Sequence, residues 1–223
     1  MLKYAITILI LASNTQFCAA SLQDVQNSTL LIRVEYKDHK GDTYSAYGNG
    51  FVYKVDENYY YVLTAGHLMD KPIVERVFAR DNRRRVVDPS RWVSGRLAWK
   101  IYNKTRYSDV ALLMFPKTNK LRDMQPVPLF KGRIPYLMPL MNQSFFKNSA
   151  VPEVTRGKML HRLNKNAFKT SMKFRPGKSG GPITGPKGKT VYGMITLQNG
   201  TAMRSDAIVR ILKQKTPHAK STH

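Results

Sequence analysis

Cysteine is nearly absent from this chain of 223 residues, since Cys18 is the only one. A single cysteine excludes an internal disulfide framework and a cysteine-ligated zinc site. Acidic residues are also few: 14 Asp and Glu stand against 37 Lys and Arg, which gives a formal net charge of +23. The chain is nevertheless no disordered polycation, because 42% of its residues are hydrophobic and 10% are aromatic, enough to form a packed core. Packing alone must therefore stabilise the fold.

Long apolar runs are missing as well. The apolar stretch near the amino terminus, AITILILA at residues 5–12, is too short to cross a bilayer. It follows Lys3 and precedes small residues at Cys18 and Ala20, an order typical of a signal peptide. We therefore predict a signal peptide over residues 1–20 and an exported mature chain, secreted or periplasmic, that does not contact the membrane.

Short apolar or alternating runs separated by turn-forming residues recur along the rest of the chain, which is typical of an all-β fold. The predicted strands are residues 29–36, 50–55, 59–65, 73–79, 110–115 and 190–197. Residues 205–214 instead have apolar side chains at helical spacing behind Ser205 as the N-cap, and they predict a closing helix. Pro, Lys and Asn interrupt the strand pattern near residues 116–128, and we place the domain boundary there, between residues 21–122 and 123–223.

Three short motifs contain residue types that can act together in nucleophilic catalysis. TAGH ends in His67 after a predicted strand, SDVALL places Asp109 at the head of an apolar strand, and PGKSGGP surrounds Ser179 with glycines. A histidine can accept the proton of a serine hydroxyl, and a carboxylate can orient the imidazole. Each motif alone is also compatible with a structural role, as a core histidine, a turn cap or a glycine-rich hairpin. Together and in this order they favour a catalytic triad.

With GNGF at residues 48–51, these motifs resemble the trypsin-like serine peptidases of the chymotrypsin fold, in particular the disulfide-free bacterial branch that includes the HtrA-type peptidases. The resemblance implies an all-β fold of two antiparallel β-barrels, with His67 and Asp109 in the first, Ser179 in the second and the active site between them. It implies a serine endopeptidase that forms an acyl-enzyme without a metal or other cofactor. The backbone amides of Gly177 and Ser179 would form the oxyanion hole. We expect no PDZ module after the closing helix.

The chain departs from animal trypsins next to the nucleophile. Lys178 stands where those enzymes have an aspartate that pairs with a new amino terminus, so we do not expect activation by amino-terminal insertion. The resemblance also places Lys173 at the floor of the specificity pocket and Thr196 and Gln198 in its wall. If Lys173 lies in the pocket, cleavage after Lys or Arg is disfavoured and acidic or small uncharged residues are preferred. The alternative is that Lys173 points to solvent.

Most of the positive excess lies in the second half of the chain, and basic clusters occur at residues 83–85, 187–189 and 213–220. They indicate a protein or peptide substrate that is acidic, or a non-specific affinity for polyanions. No motif for specific nucleic-acid binding accompanies them. The alternative function is a catalytically silent, cationic binding module for polyanions or proteins on a trypsin-like scaffold.

Overall fold

The computed structural model describes residues 25, 27–81, 92–121, 124–146, 149, 152–197 and 199–215. The predicted signal peptide, the basic cluster at residues 83–85 and the boundary residues 122–123 lie outside these ranges. Those three expectations therefore stay predictions.

Twelve strands form two closed antiparallel barrels of six strands each. The strands of the first barrel are β1 (Thr29–Lys37), β2 (Thr43–Val55), β3 (Tyr59–Thr64), β4 (Ile73–Arg80), β5 (Val93–Asn103) and β6 (Ser108–Pro116). Those of the second are β7 (Pro139–Ser144), β8 (Glu153–Arg162), β9 (Ala167–Thr170), β10 (Pro182–Thr184), β11 (Val191–Leu197) and β12 (Thr201–Arg204). Around the barrels the strands follow the orders β1-β2-β3-β6-β5-β4 and β10-β11-β12-β9-β8-β7.

Among the elements whose bounds lie within the described residues, two are helical. A 3-10 helix, Gly66–Met69, follows β3, and helix α1, Ser205–Lys215, follows β12. In the described part of the chain, no helix has the length and apolarity needed to cross a membrane. The predicted all-β fold of two barrels with a closing helix is confirmed.

Strand β6 shows why part of the sequence is apolar without alternation. Successive side chains of a strand point to opposite faces of the sheet. Leu113 and Phe115 pack in the core of the first barrel, whereas Val110 and Leu112 pack in a second cluster with Met194 and other residues of the second barrel. Both faces of the strand are therefore buried, and a continuous apolar run results. This packing holds the start of β6, and Asp109 with it, against the other barrel.

Helix α1 packs on the same inter-barrel cluster. Its apolar residues Ala207, Ile208 and Leu212 are buried there beside Val191 and Met203 of the second barrel. They recur at intervals of one and four positions, the spacing of a single helical face. The closing helix thus takes part in the packing between the barrels.

Candidate active site

His67 lies just after the end of β3, in the first turn of the 3-10 helix. Gly66 passes so close to the neighbouring strands that a Cβ atom there would lie 2.5 Å from the carbonyl oxygen of Ile101 and 3.0 Å from the amide nitrogen of Val110. Backbone atoms at those distances leave no space for a side chain. The glycine therefore lets the chain turn tightly against β5 and β6, and it brings His67 next to the start of β6.

Asp109 is the second residue of β6 and only 4% exposed. Its Oδ1 accepts a hydrogen bond from the backbone N–H of His67 at 2.8 Å, and its Oδ2 lies 2.8 Å from Nδ1 of the same residue. One carboxylate thus fixes both the backbone and the ring of His67. Because a carboxylate only accepts hydrogen bonds, Nδ1 carries the proton, and in the neutral imidazole Nε2 is left free to act as a base.

Tyr102 of β5 packs beside the imidazole, with the two ring centroids 6.1 Å apart and the planes inclined by 59°. Burial raises the pKa of the Tyr102 phenol, and the carboxylates of Asp109 and Asp70 raise it further. The phenol is therefore neutral at physiological pH. Tyr102 thus contacts the imidazole of His67 without adding a charge.

Ser179 follows a tight turn formed by residues 175–178. The amide of Lys178 donates to the carbonyl of Arg175 at 3.3 Å, Pro176 is the second residue of the turn, and Gly177 is the third with φ +89°. A type II turn requires a positive φ at its third position, and glycine adopts it without strain. The PGK sequence thus specifies the turn that precedes Ser179.

The backbone amides of this loop are of two kinds, engaged ones that donate a hydrogen bond and unengaged ones that do not. Those of Lys178, Gly180 and Gly181 donate to backbone carbonyls at 3.3, 2.9 and 3.0 Å. Within the described ranges, those of Gly177 and Ser179 donate to no acceptor. Two unengaged N–H groups, at Ser179 and two residues before it, meet the chemical requirement of the predicted oxyanion hole.

Asn49 of β2 joins the nucleophile loop to the first barrel, and it is fully buried. Its backbone N–H donates to the carbonyl of Ser179 at 2.7 Å, and its Nδ2 donates to the carbonyl of Gly177 at 2.8 Å. The side chain also exchanges hydrogen bonds with the backbone of Phe145, at 3.1 Å from Nδ2 and 2.7 Å to Oδ1. Sequence reasoning missed this role. Its only signal was a polar residue inside the GNGF motif.

His67 and Ser179 line one cleft of about 560 Å³ between the barrels. The other residues that line it are Asp70, Lys71, Tyr102, Lys104, Thr196, Leu197 and Asn199. Within the described structure no hydrogen bond joins the imidazole of His67 to the hydroxyl of Ser179; such bonds commonly tighten only when substrate binds. The fold therefore brings His67 and Ser179 to one cleft, and Asp109, which does not line it, is paired with His67.

The predicted specificity residues divide into three cases. Thr196 lines the cleft, is 5% exposed and donates its hydroxyl to the carbonyl of Thr201 at 3.3 Å. Lys173 is exposed and is not among the residues that line this cleft. Gln198 lies outside the described residues. The roles assigned to these three side chains stay predictions. Sequence reasoning assigned no place in the site to the lining residues Lys71, Tyr102, Lys104 and Asn199, because no catalytic motif surrounds them.

Among the residues that the structure describes, no group of three or more His, Cys, Asp or Glu side chains is placed to hold a metal ion. The expectation that no metal or cofactor takes part stays a prediction.

Two closed six-stranded antiparallel barrels with a cleft between them define the chymotrypsin-like fold. The family model of the trypsin-like peptidase domain matches residues 48–194, and the chain belongs to that family. The chain is also similar to the crystal structure of Deg5, with a TM-score of 0.66 and 16% sequence identity, over 88% of this chain and 92% of that chain. At this level of identity the likeness concerns the fold alone. A search of curated proteins found no significant match.

Proposed function

We propose that this protein is a serine endopeptidase that cleaves peptide bonds through an acyl-enzyme intermediate. The observation that carries the proposal is the paired hydrogen bonding of His67 to Asp109, at 2.8 Å for both contacts, in the cleft that Ser179 lines. A serine hydroxyl is a weak nucleophile until a base accepts its proton. This geometry supplies that base in the required tautomer.

In the first half of the reaction, Oγ of Ser179 attacks the carbonyl carbon of the substrate while Nε2 of His67 takes the hydroxyl proton. The carbonyl oxygen gains the negative charge, which the amides of Gly177 and Ser179 stabilise by hydrogen bonding. His67 then gives its proton to the departing amine as the C–N bond breaks. The carboxylate of Asp109 stabilises the imidazolium that exists between the two proton transfers.

In the second half, water takes the place of the amine. Nε2 of His67 accepts a proton from the water as its oxygen attacks the ester carbonyl, and the same two amides stabilise the second oxyanion. His67 then returns the proton to Oγ of Ser179 as the ester bond breaks. The acid product leaves and the resting state is restored.

A fluorophosphonate probe tests the proposal, because it forms a covalent bond with an activated serine. We expect the mature protein to be labelled at one residue, Ser179, and we expect Ser179→Ala to abolish both labelling and peptide hydrolysis. Mass spectrometry of the digested adduct identifies the labelled position. Ser94→Ala, which removes an exposed serine of β5, is the control and should label as the wild type does. A well-folded protein without labelling would favour the cationic binding module instead.

The charges in the cleft support a preference for acidic substrates. Lys71 and Lys104 line it, and in the described structure neither forms an ion pair with a carboxylate. Asp70 lines it too, but its carboxylate lies 3.1 Å from the ammonium of Lys100. The His67 side of the cleft therefore has an excess of positive charge. An acidic side chain of a bound peptide would be attracted there and a basic one repelled.

Charge reversal tests this preference. We expect Lys104→Glu to lower kcat/KM for a peptide with Glu beside the scissile bond by about fivefold, and to raise it for the matched Lys peptide, because one exposed charge contact contributes about 1 kcal/mol. Both effects should weaken with added salt. Lys120→Glu makes the same charge change at an exposed site that does not line the cleft. Equal shifts in the two variants would show that only the net charge matters.

A further inference from the structure

Lys178 is a buried cation in the middle of the nucleophile loop. It is 0% exposed, and it lies between Gly177 and Ser179, whose amides are the unengaged pair of the loop. Burial of a lysine is unfavourable unless its ammonium group is paired and hydrogen-bonded. A charged side chain at this position therefore calls for a role that an apolar residue could not fill.

Strand β8 supplies the partners of the Lys178 ammonium group. Its Nζ donates to Oγ1 of Thr155 at 2.7 Å and lies 3.0 Å from Oε1 of Glu153. Glu153 and Thr155 are two positions apart, so they project from the same face of the strand. The ring of Phe146 lies 5.5 Å from Nζ and adds a cation–π contact. The Lys178 side chain thus extends from the loop to β8 and ends in a set of polar contacts.

The opposite side of the loop is fixed from the first barrel. Nδ2 of Asn49 holds the carbonyl of Gly177, and the backbone N–H of Asn49 holds the carbonyl of Ser179. The first carbonyl belongs to the peptide group between Gly177 and Lys178, and the second to the peptide group after Ser179. Neither contact fixes the Lys178 side chain. Backbone hydrogen bonds also hold the loop from within, since the amide of Lys178 donates to Arg175 and its carbonyl accepts from the amide of Gly181. The Lys178 side chain adds the contacts toward β8.

We propose that Lys178 is a positioning residue for the oxyanion hole. Its ammonium group, anchored on Glu153 and Thr155, fixes the position of the Lys178 Cα atom and with it the adjacent peptide group that carries the Ser179 amide. It also holds the end of the turn in which the Gly177 amide lies. Lys178 does not touch the substrate. This inference rests on the proposed peptidase function, because the fixed amides matter chemically only if they stabilise an oxyanion.

Lys178→Met is the first test, because methionine occupies a similar volume but forms no ion pair. We expect kcat for a peptide or ester substrate to fall by about 100-fold, the scale of losing one oxyanion donor, while KM stays within about twofold because ground-state contacts are unchanged. The thermal midpoint should stay close to that of the wild type, since the Glu153 side chain is 39% exposed and remains hydrated without its partner. A kcat within twofold of wild type would overturn the proposal.

Glu153→Gln is the second test and covers the case in which Lys178→Met does not fold. The amide keeps the shape of the carboxylate but removes its charge, so the anchor is weakened rather than lost. We expect a decrease in kcat of about tenfold with KM unchanged. The matched controls are Lys158→Met, an exposed lysine of β8, and Glu57→Gln, an exposed glutamate in the turn after β2. Neither control should change kcat, and a control that did would contradict the special role of the pair.

A measurement without turnover separates this inference from the proposed function. In a ¹⁵N-labelled protein, the amide resonances of Gly177 and Ser179 should shift or broaden in Lys178→Met and stay in place in Lys158→Met. Unchanged resonances in Lys178→Met would overturn the positioning role even in an active enzyme. Conversely, a wild-type protein that does not react with the fluorophosphonate would overturn the peptidase proposal, while displaced resonances would still support the anchoring of the loop by Lys178.

Discussion

Asp109→Asn should reduce kcat by about 10⁴-fold at neutral pH, the size that the loss of the correct imidazole tautomer has in enzymes with this triad. The backbone N–H of His67 bonds to Oδ1 of Asp109, so an asparagine there keeps its carbonyl oxygen on that N–H. Its NH2 group then faces Nδ1 of His67 and turns that nitrogen into an acceptor. The proton moves to Nε2, and the base can no longer accept the proton of Ser179.

The measurement is kcat with a chromogenic peptide ester, supported by a thermal unfolding curve. The unfolding midpoint should change little, because asparagine keeps the shape of the aspartate and one of its two hydrogen bonds. Asp42→Asn, at an exposed turn position, is the matched control and should retain wild-type kcat. If Asp109→Asn retained more than about one tenth of the wild-type kcat, His67 would not be the base held by this carboxylate.

Gly180→Ala should lower both stability and activity, because Gly180 lies where the second barrel meets the first. An added Cβ atom would lie 2.0 Å from the backbone oxygen of Asn49, 2.5 Å from Oγ1 of Thr64 and 3.0 Å from the amide nitrogen of Ala65. The backbone oxygen cannot move unless β2 moves with it. Gly180 also has φ +83°, which adds strain for any residue with a side chain.

We expect Gly180→Ala to lower the free energy of unfolding by about 3 kcal/mol, as the sum of overpacking and backbone strain. We expect kcat to fall by about 100-fold, since a displacement of the neighbouring Ser179 by about 1 Å has that effect. Gly41→Ala separates the two causes: Gly41 has φ +89° as well, but its Cβ would meet nothing within 4 Å. Equal losses of stability in the two variants, measured by urea unfolding, would show that the contact with Asn49 is not tight.

The candidate catalytic residues could be predicted from the sequence more completely than the strands of the two barrels. β3 and β6 were predictable because both of their faces are buried, which makes them continuously apolar. β5 was not, although Leu97, Trp99 and Ile101 alternate along it. The strand also contains Gly95, where the ring of Phe115 lies within 2.4 Å of an added Cβ and takes the place of a side chain. When an aromatic ring from a neighbouring strand packs over a glycine, the strand with the glycine has a weaker hydrophobic pattern in its own sequence.

The second barrel was harder to predict because part of its interior is polar. Asn142 and Ser144 of β7 are fully buried, and Asn142 donates to the carbonyl of Pro182 at 2.8 Å while Ser144 donates to Oδ1 of Asn142 at 2.8 Å. These side chains support the segment after Ser179 instead of filling an apolar core. Their role depends on hydrogen bonds between residues far apart in sequence, so the hydrophobic pattern of β7 does not reveal it.

Within the candidate site, too, contacts between residues far apart in the chain could not be predicted from local sequence patterns. The order of His67, Asp109 and Ser179 indicated the chemistry, since each residue type has a recognisable local motif. The lysine before the nucleophile was visible as a departure from animal trypsins, but its partner Glu153 was not, because only the pairing of β7 with β8 brings that strand beneath the loop. Likewise, the pairing of β5 with β6 opposes Tyr102 to Asp109 and so places the phenol beside the triad.

The link from Asn49 to the loop of Ser179 has a consequence for the order in which this protein is made. Asn49 leaves the ribosome long before Ser179 does, and the partners of its side chain at Phe145 and Gly177 are synthesised only later. A partly synthesised chain therefore contains His67 but not Ser179. A complete chain that has misfolded contains Ser179 in a loop that Asn49 does not hold. If the protein is the proposed peptidase, it cleaves peptides only once both halves have met, and the nascent polypeptide and its neighbours are spared from premature digestion.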